Sequence, residues 1–354
     1  MFYEKALLII ALMLGSVAAS SAQNLDKNEA KQLKAFLSEP SRERDQRLGA
    51  QGFQYQFIRF NRRCHRRERP CDSHRMEGQE TQRRSRPSGF KALKKVDVSR
   101  NDLTSLSVEG CAQLTELNAG RNKISEIDLN GCESLQKVAV YKNRLTDISL
   151  SDTPMLENLN VSNNLFVELS LANTTSLKTL NCQGCHLEVL NVSGCTNLKN
   201  LYCGYNKLSS VTLAGVENLQ NLNVDDNEIT NFIVSGLPSL ATLICSDNNM
   251  TTLGVRNCNA LLDLVCSYND LTTLSVEGCP NIQYVDCSYN DLTSLDLSNQ
   301  TFLQRLLCNN NQLTMLDVSF DQALTYINCR FNTITDLRTV ACNNLRMVAC
   351  QWNY

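Results

Sequence analysis

The chain has 354 residues, 34 basic against 36 acidic, and a formal net charge of −2, so no chain-wide field draws it to nucleic acid. It is long enough for a large core, and beyond the first residues it has no apolar run of membrane-spanning length. Its 17 cysteines would suggest a disulfide framework in an exported protein, but their positions point elsewhere.

The chain begins with Lys5, an apolar run from Ala6 to Ala19, and the small residues Ser20-Ser21-Ala22. Residues 1–22 therefore read as a secretory signal peptide cleaved after Ala22, too short an apolar run for a comfortable membrane span. The expected location is secreted or cell-surface. Within residues 23–40, Asp26 to Leu37 (DKNEAKQLKAFL) reads as a short amphipathic helix with Ala30, Leu33 and Leu37 on one face, a candidate N-terminal cap. Residues 41–89 are irregular, with thirteen Arg and no Lys. Two readings stand for this segment: a basic patch for polyanions, or out-of-frame translation in place of an ordered cap. Reading the other frames of the DNA distinguishes them.

From residue 90 to 354 the text repeats. Lines starting at Leu93, Leu114, Leu135, Leu156, Leu177, Leu198, Leu219, Leu240, Leu261, Ile282, Leu303, Leu324 and Leu345 follow at steps of 21 residues. Twelve repeats are complete and a thirteenth is partial, with the pattern L-x-x-L-x-C-x-x-N-x-L-T-x-L-x-V-x-G-C-x-x. Numbering each line from slot 1, apolar residues hold slots 1, 4, 6, 11, 14 and 16. The alternation at 4 and 6, and again at 14 and 16, is that of half-buried strands. Each coil is thus expected to carry two short strands around a shared interior.

Slot 9 is Asn at Asn101, Asn122, Asn143, Asn164, Asn206, Asn227, Asn248, Asn269, Asn290, Asn311, Asn332 and Asn353. An amide both donates and accepts, so stacked Asn side chains are expected to form a ladder along the turns. Slot 18 is Gly in six repeats and Asn or Asp in four more, residues that tolerate a left-handed backbone.

These lines, most clearly Leu264–Cys279 (LVCSYNDLTTLSVEGC) and Val285–Asn299 (VDCSYNDLTSLDLSN), resemble bacterial exported leucine-rich-repeat proteins. The likeness is to the 21-residue, cysteine-containing Bacteroidetes-like type and, more distantly, the internalins. It implies a β-rich leucine-rich-repeat solenoid, and for function a non-enzymatic scaffold that binds a host or bacterial surface protein or glycan, as an internalin-like adhesin does. It further implies that such a chain continues into a C-terminal cap and sorting module. With the last line ending at Tyr354, a truncated, inactive product of a larger surface protein is an alternative expectation.

The repeat frame sorts the cysteines. Slot 6 holds Cys182, Cys203, Cys245, Cys266, Cys287, Cys308, Cys329 and Cys350; slot 19 holds Cys111, Cys132, Cys195, Cys258, Cys279 and Cys342; Cys185 takes the Asn slot. They read as buried small hydrophobes in columns. Parallel side-chain directions disfavour disulfides, and the missing His, Asp and Glu partners disfavour a metal. The C-x-x-C-H run of Cys182, Cys185 and His186 has the spacing of a c-type haem attachment site, so a haem electron carrier is the rival reading. The repeat assigns both thiols to structural slots and leaves no room for a haem pocket, so no cofactor is expected. The acidic run Asp225-Asp226-Asn227-Glu228 lacks the glycine turn and terminal Glu of a calcium loop. No nucleophile, base and oxyanion set stands out.

Outward slots of the first strand should carry any partner. Slot 8 is basic early, at Arg100, Arg121 and Lys142, and aromatic later, at Tyr205, Tyr268, Tyr289, Phe331 and Trp352. Slot 3 adds Tyr284 and Tyr326; slot 5 adds Tyr202, Ile244, Val265 and Leu307. These eleven aromatic and aliphatic residues are expected to form one contiguous apolar band, the candidate partner-binding face. The competing account is that the aromatics only stabilise the sheet by stacking.

Overall fold

The computed structural model describes residues 93–354, apart from residues 173 and 299. The expected signal peptide, helix and Arg-rich segment lie outside the described residues. Each of the thirteen coils places a three-residue strand at slots 3–5, from Lys95–Asp97 to Met347–Ala349. They join into one thirteen-stranded sheet. Pairing is parallel and advances by one repeat per coil, Lys95 facing Glu116 and Val96 facing Leu117. The 21-residue period is therefore the register of the sheet. Among the described residues no helix is long and apolar enough to cross a membrane.

The second strand forms in only seven coils, in sheets of three, two and two strands. Where slot 15 is Asp or Asn, its side chain accepts the slot-17 N–H: Asp128 from Asn130, Asn191 from Ser193, Asp296 from Ser298 and Asp317 from Ser319, each at 3.0 Å. A side chain that claims a backbone donor competes with ladder pairing, and the strand stops. With Ile233 and Gly254 at that slot, no side chain competes, and the strands run five residues, Asn231–Ser235 and Thr252–Arg256.

The core is a continuous column from Val98 to Cys342, fed by slots 1, 4, 6, 11, 14, 16 and 19. Fourteen of the fifteen described cysteines are buried and Cys350 is exposed. The eight slot-6 cysteines are free thiols. Burial pushes the Cys203 thiol well up and the Cys132 thiol up to about 12, so both stay protonated and behave as small hydrophobes with a weak donor.

The slot-9 amides tie the coils together. Asn206 donates to Cys203 O in its own coil at 2.9 Å and to Cys182 O in the preceding coil at 3.0 Å, and accepts the Leu187 N–H at 3.1 Å. Asn122, Asn143, Asn227, Asn248 and their successors repeat the offsets. Where Cys185 interrupts the ladder, its thiol donates to Val161 O at 3.4 Å, the same preceding-coil carbonyl an Asn would use.

Slot 19 forms a second, weaker ladder on the return side. The thiols of Cys132, Cys279 and Cys342 donate to the slot-16 carbonyl of the preceding coil at 3.0, 3.6 and 2.9 Å. Thr153 and Thr174 donate to the same slot's carbonyl in their own coils. Gln300 and Asp321 break this pattern: the Gln300 Oε1 and both Asp321 carboxylate oxygens are buried without a partner.

Candidate partner-binding surface

The strand ends at slot 5, so slot 8 lies not on the strand, as the sequence pattern suggested, but in the turn that follows it. There the backbone is left-handed in all thirteen coils, with φ between 50° and 65°. In the twelve coils that have a successor the slot-8 N–H donates to a slot-7 carbonyl of the next coil, as Tyr205 does to Asp225 O at 2.8 Å and Arg121 to Tyr141 O at 2.8 Å, and Trp352 in the last coil keeps the same turn without that bond. Gly184, Asn163, Asn310, Asp226 and Asp247 suit such a position. Aromatic or long basic residues do not, at a strain of about 1–2 kcal/mol each.

The left-handed turn projects its side chains outward. Tyr205, Tyr268, Tyr289, Phe331 and Trp352 are 42–73% exposed, whereas Tyr202, Ile244, Val265, Tyr284, Leu307 and Tyr326 on the strands are half-buried. Two stacks form along the edge: Tyr268 on Tyr289, centroids 4.3 Å apart and 9° from parallel, and Phe331 on Trp352, 5.8 Å and 7°. On the strand face, Arg305 lies between the rings of Tyr284 and Tyr326, at 5.7 and 5.4 Å.

The apolar band is thus not contiguous. Asn310 separates the two stacks, and Asp226 and Asp247 separate Tyr205 from Tyr268. Nearby Asp225, with burial and then Asp226 and Asp247, holds the Tyr205 phenol above its ordinary range. Both the binding and the sheet-stabilising readings have a counterpart here: the rings do stack on one another, and their outer edges remain open to solvent.

No family model matches the chain, and no curated protein does. Among solved structures, YopM from Yersinia enterocolitica is 27% identical with a TM-score of 0.56, over 73% of this chain and 60% of that one. A leucine-rich-repeat protein of Leptospira interrogans is 20% identical with a TM-score of 0.55, over 75% and 74%. The internalin InlF of Listeria monocytogenes is 23% identical with a TM-score of 0.53, over 72% and 86%. The chain is a leucine-rich-repeat solenoid. It spans 60% of the YopM chain and 65% of the InlJ chain from Listeria monocytogenes.

Within this leucine-rich-repeat frame the C-x-x-C-H run has no geometry for haem. Cys182 is fully buried and Cys185 nearly so, one in the core and one in the ladder, while His186 is exposed on the turn. The imidazole is thus on the opposite side of the chain surface from the two buried thiols.

Sequence reasoning missed two features. Its periodicity test treated slot 8 as strand, because side-chain alternation does not reveal a left-handed φ. It also passed over Gln300 and Asp321, although two large polar residues in a slot otherwise given to Cys, Thr, Val and Leu were a visible signal.

Proposed function

We propose that this solenoid is an exported, non-enzymatic binding protein, internalin-like in mode, that attaches to a host or bacterial surface protein or glycan through its aromatic edge and the adjoining strand face. The observation that carries this reading is the placement of five exposed aromatics at left-handed turn positions, where backbone preference alone favours Gly, Asn or Asp. Ring stacking offsets part of the strain, at about 0.5–1.5 kcal/mol per pair. Tyr205 has no ring against it in either neighbouring coil, where Gly184 and Asp226 hold slot 8, so stacking leaves its strain unexplained. Exposed aromatics of this kind are what binding hot spots use. Secretion follows from the signal-like residues 1–22.

The test is binding of the full chain to epithelial cells and matrix proteins, compared with a Tyr268→Asn, Tyr289→Asn, Phe331→Asn variant. Asn occupies the same turn at Asn163 and Asn310, so the variant keeps the fold. Saturable binding that drops at least about tenfold in the variant supports the reading. Equal binding by both proteins, or none by either, refutes it.

A further inference from the structure

The first three coils carry a different surface on the same turn edge. Arg100, Arg121 and Lys142 hold slot 8 with φ of 58°, 59° and 53°, and all three are exposed. Coils stack at about 4.8 Å, so three like charges stand one above another. Like charges directly opposite are destabilising, and the left-handed backbone adds strain to each. Unlike the aromatics, they recover nothing by stacking: among the described residues none of the three forms an ion pair or a ring contact.

The neighbouring column of the same coils shows the ordinary solution. At slot 3, Lys95, Glu116 and Lys137 alternate in sign and pair at 2.9 and 3.6 Å. Slot 8 does not alternate. Two slots further round the turn, Lys123 and Arg144 add charge of the same sign, with only Asp102 against them, paired to Lys123 at 2.6 Å. Five cations and one anion therefore line this edge. Beside them the Tyr141 ring lies across Gly120, which leaves room for it by having no Cβ, since one there would collide with the ring. One ring face rests on the backbone and the side chain stays half-exposed.

We propose that this N-terminal edge is a second binding surface, for a linear anionic polysaccharide whose repeated carboxylate or sulfate groups meet Arg100, Arg121 and Lys142 while a sugar ring lies on Tyr141. A row of cations at coil spacing fits a polymer with repeated charge, and charge-assisted bonds to Arg are strong and directional. The flat ring beside the row favours a sugar over a bare phosphate chain. This surface is separate from the aromatic edge, and its test does not depend on that edge.

The probes are heparin, neutral dextran and inorganic polyphosphate, bound to the full chain at about 0.15 M salt. Two variants are compared with the unchanged protein: Arg100→Asn, Arg121→Asn, Lys142→Asn together, and Tyr141→Ala. Asn suits the left-handed turn, so the triple variant should melt no lower than the unchanged chain. The expected result is heparin binding without dextran binding, lost by at least about tenfold in the triple variant, with a shallower salt dependence. Tyr141→Ala should weaken heparin binding several-fold and leave polyphosphate binding unchanged. Heparin binding by the triple variant within about twofold of the unchanged chain overturns the proposal and moves the polyanion site to residues 41–89. Equal effects of Tyr141→Ala on heparin and polyphosphate, or none on either, overturn its polysaccharide part.

Discussion

At the scale of single residues, Asp321 is the most consequential side chain outside the proposed binding surfaces. It is 1% exposed, and both carboxylate oxygens lack a partner beside the equally orphaned Gln300 Oε1. Its slot is one in which Cys and Thr donate to a slot-16 carbonyl, and a carboxylate has no proton to donate. Burial, and then Asp317, push its acid up to about 7 from an ordinary 3.8. Arg338 gives little relief because it pairs with Asp336 at 2.6 Å and with Asp317 at 3.7 Å. Because the folded chain holds this proton over a range where the unfolded chain has lost it, stability falls as pH rises from about 4 to about 7 and is flat in this respect outside that window. Asp321→Asn supplies a permanent amide donor. Relative to the unchanged protein, its melting temperature should be higher at pH 7.5, and the difference should shrink towards pH 4.5. A difference that stays constant across that range would refute the assignment.

At the scale of the coil, the unit of stability is the stacking of one 21-residue turn on the next. No three-residue strand is stable by itself; each gains from its neighbours, on both sides for all but the first and last, and from the amide ladder that fastens its turn. Asn206→Ala removes donors from Cys182 O and Cys203 O and leaves the Leu187 N–H without its acceptor. Buried groups left unsatisfied make this a loss of about 3 kcal/mol. Cys185→Asn should do the reverse. The thiol donates to Val161 O at 3.4 Å, and an amide there would complete the column and add about 1 kcal/mol. Urea midpoints of the two variants should therefore move in opposite directions, and a shift in the same direction would show that the ladder does not govern coil stacking.

At the scale of the molecule, the array has a chemical gradient. Its turn edge passes from cationic in the first three coils, through Asn163, Gly184 and Tyr205, to acidic at Asp226 and Asp247 and then mostly aromatic from Tyr268 to Trp352. One scaffold therefore presents two surfaces of different chemistry on a common edge. The same stacking seals the thiols. Fourteen described cysteines are buried and their reactivity requires both exposure and the thiolate form. Alkylation of the native chain, mapped by mass spectrometry, should label Cys350 among the described cysteines, and the other fourteen only after unfolding. Labelling of Cys203 or Cys266 at a rate near that of Cys350 would mean the column opens in the native state.

The step from Leu93 to Leu345, the Asn at slot 9 and the apolar slots were readable in the text because each coil meets the same environment as its neighbours. A residue repeated every 21 positions reports a position repeated in space. The core, the parallel register and the solenoid follow from that alone. What the tertiary structure decided lies between coils. The left-handed turn at slot 8, fastened in twelve coils by a hydrogen bond to the next, moved Tyr205, Tyr268, Tyr289, Phe331 and Trp352 from an expected strand face to an exposed edge. The second strand forms in only seven of the twelve complete coils, and it runs past slot 15 only at Ile233 and Gly254. Asp321 is costly only because the carbonyls around it already define a donor's place. Periodicity records which side of the chain faces inward; it does not record the backbone angle or the partner that the neighbouring coil supplies.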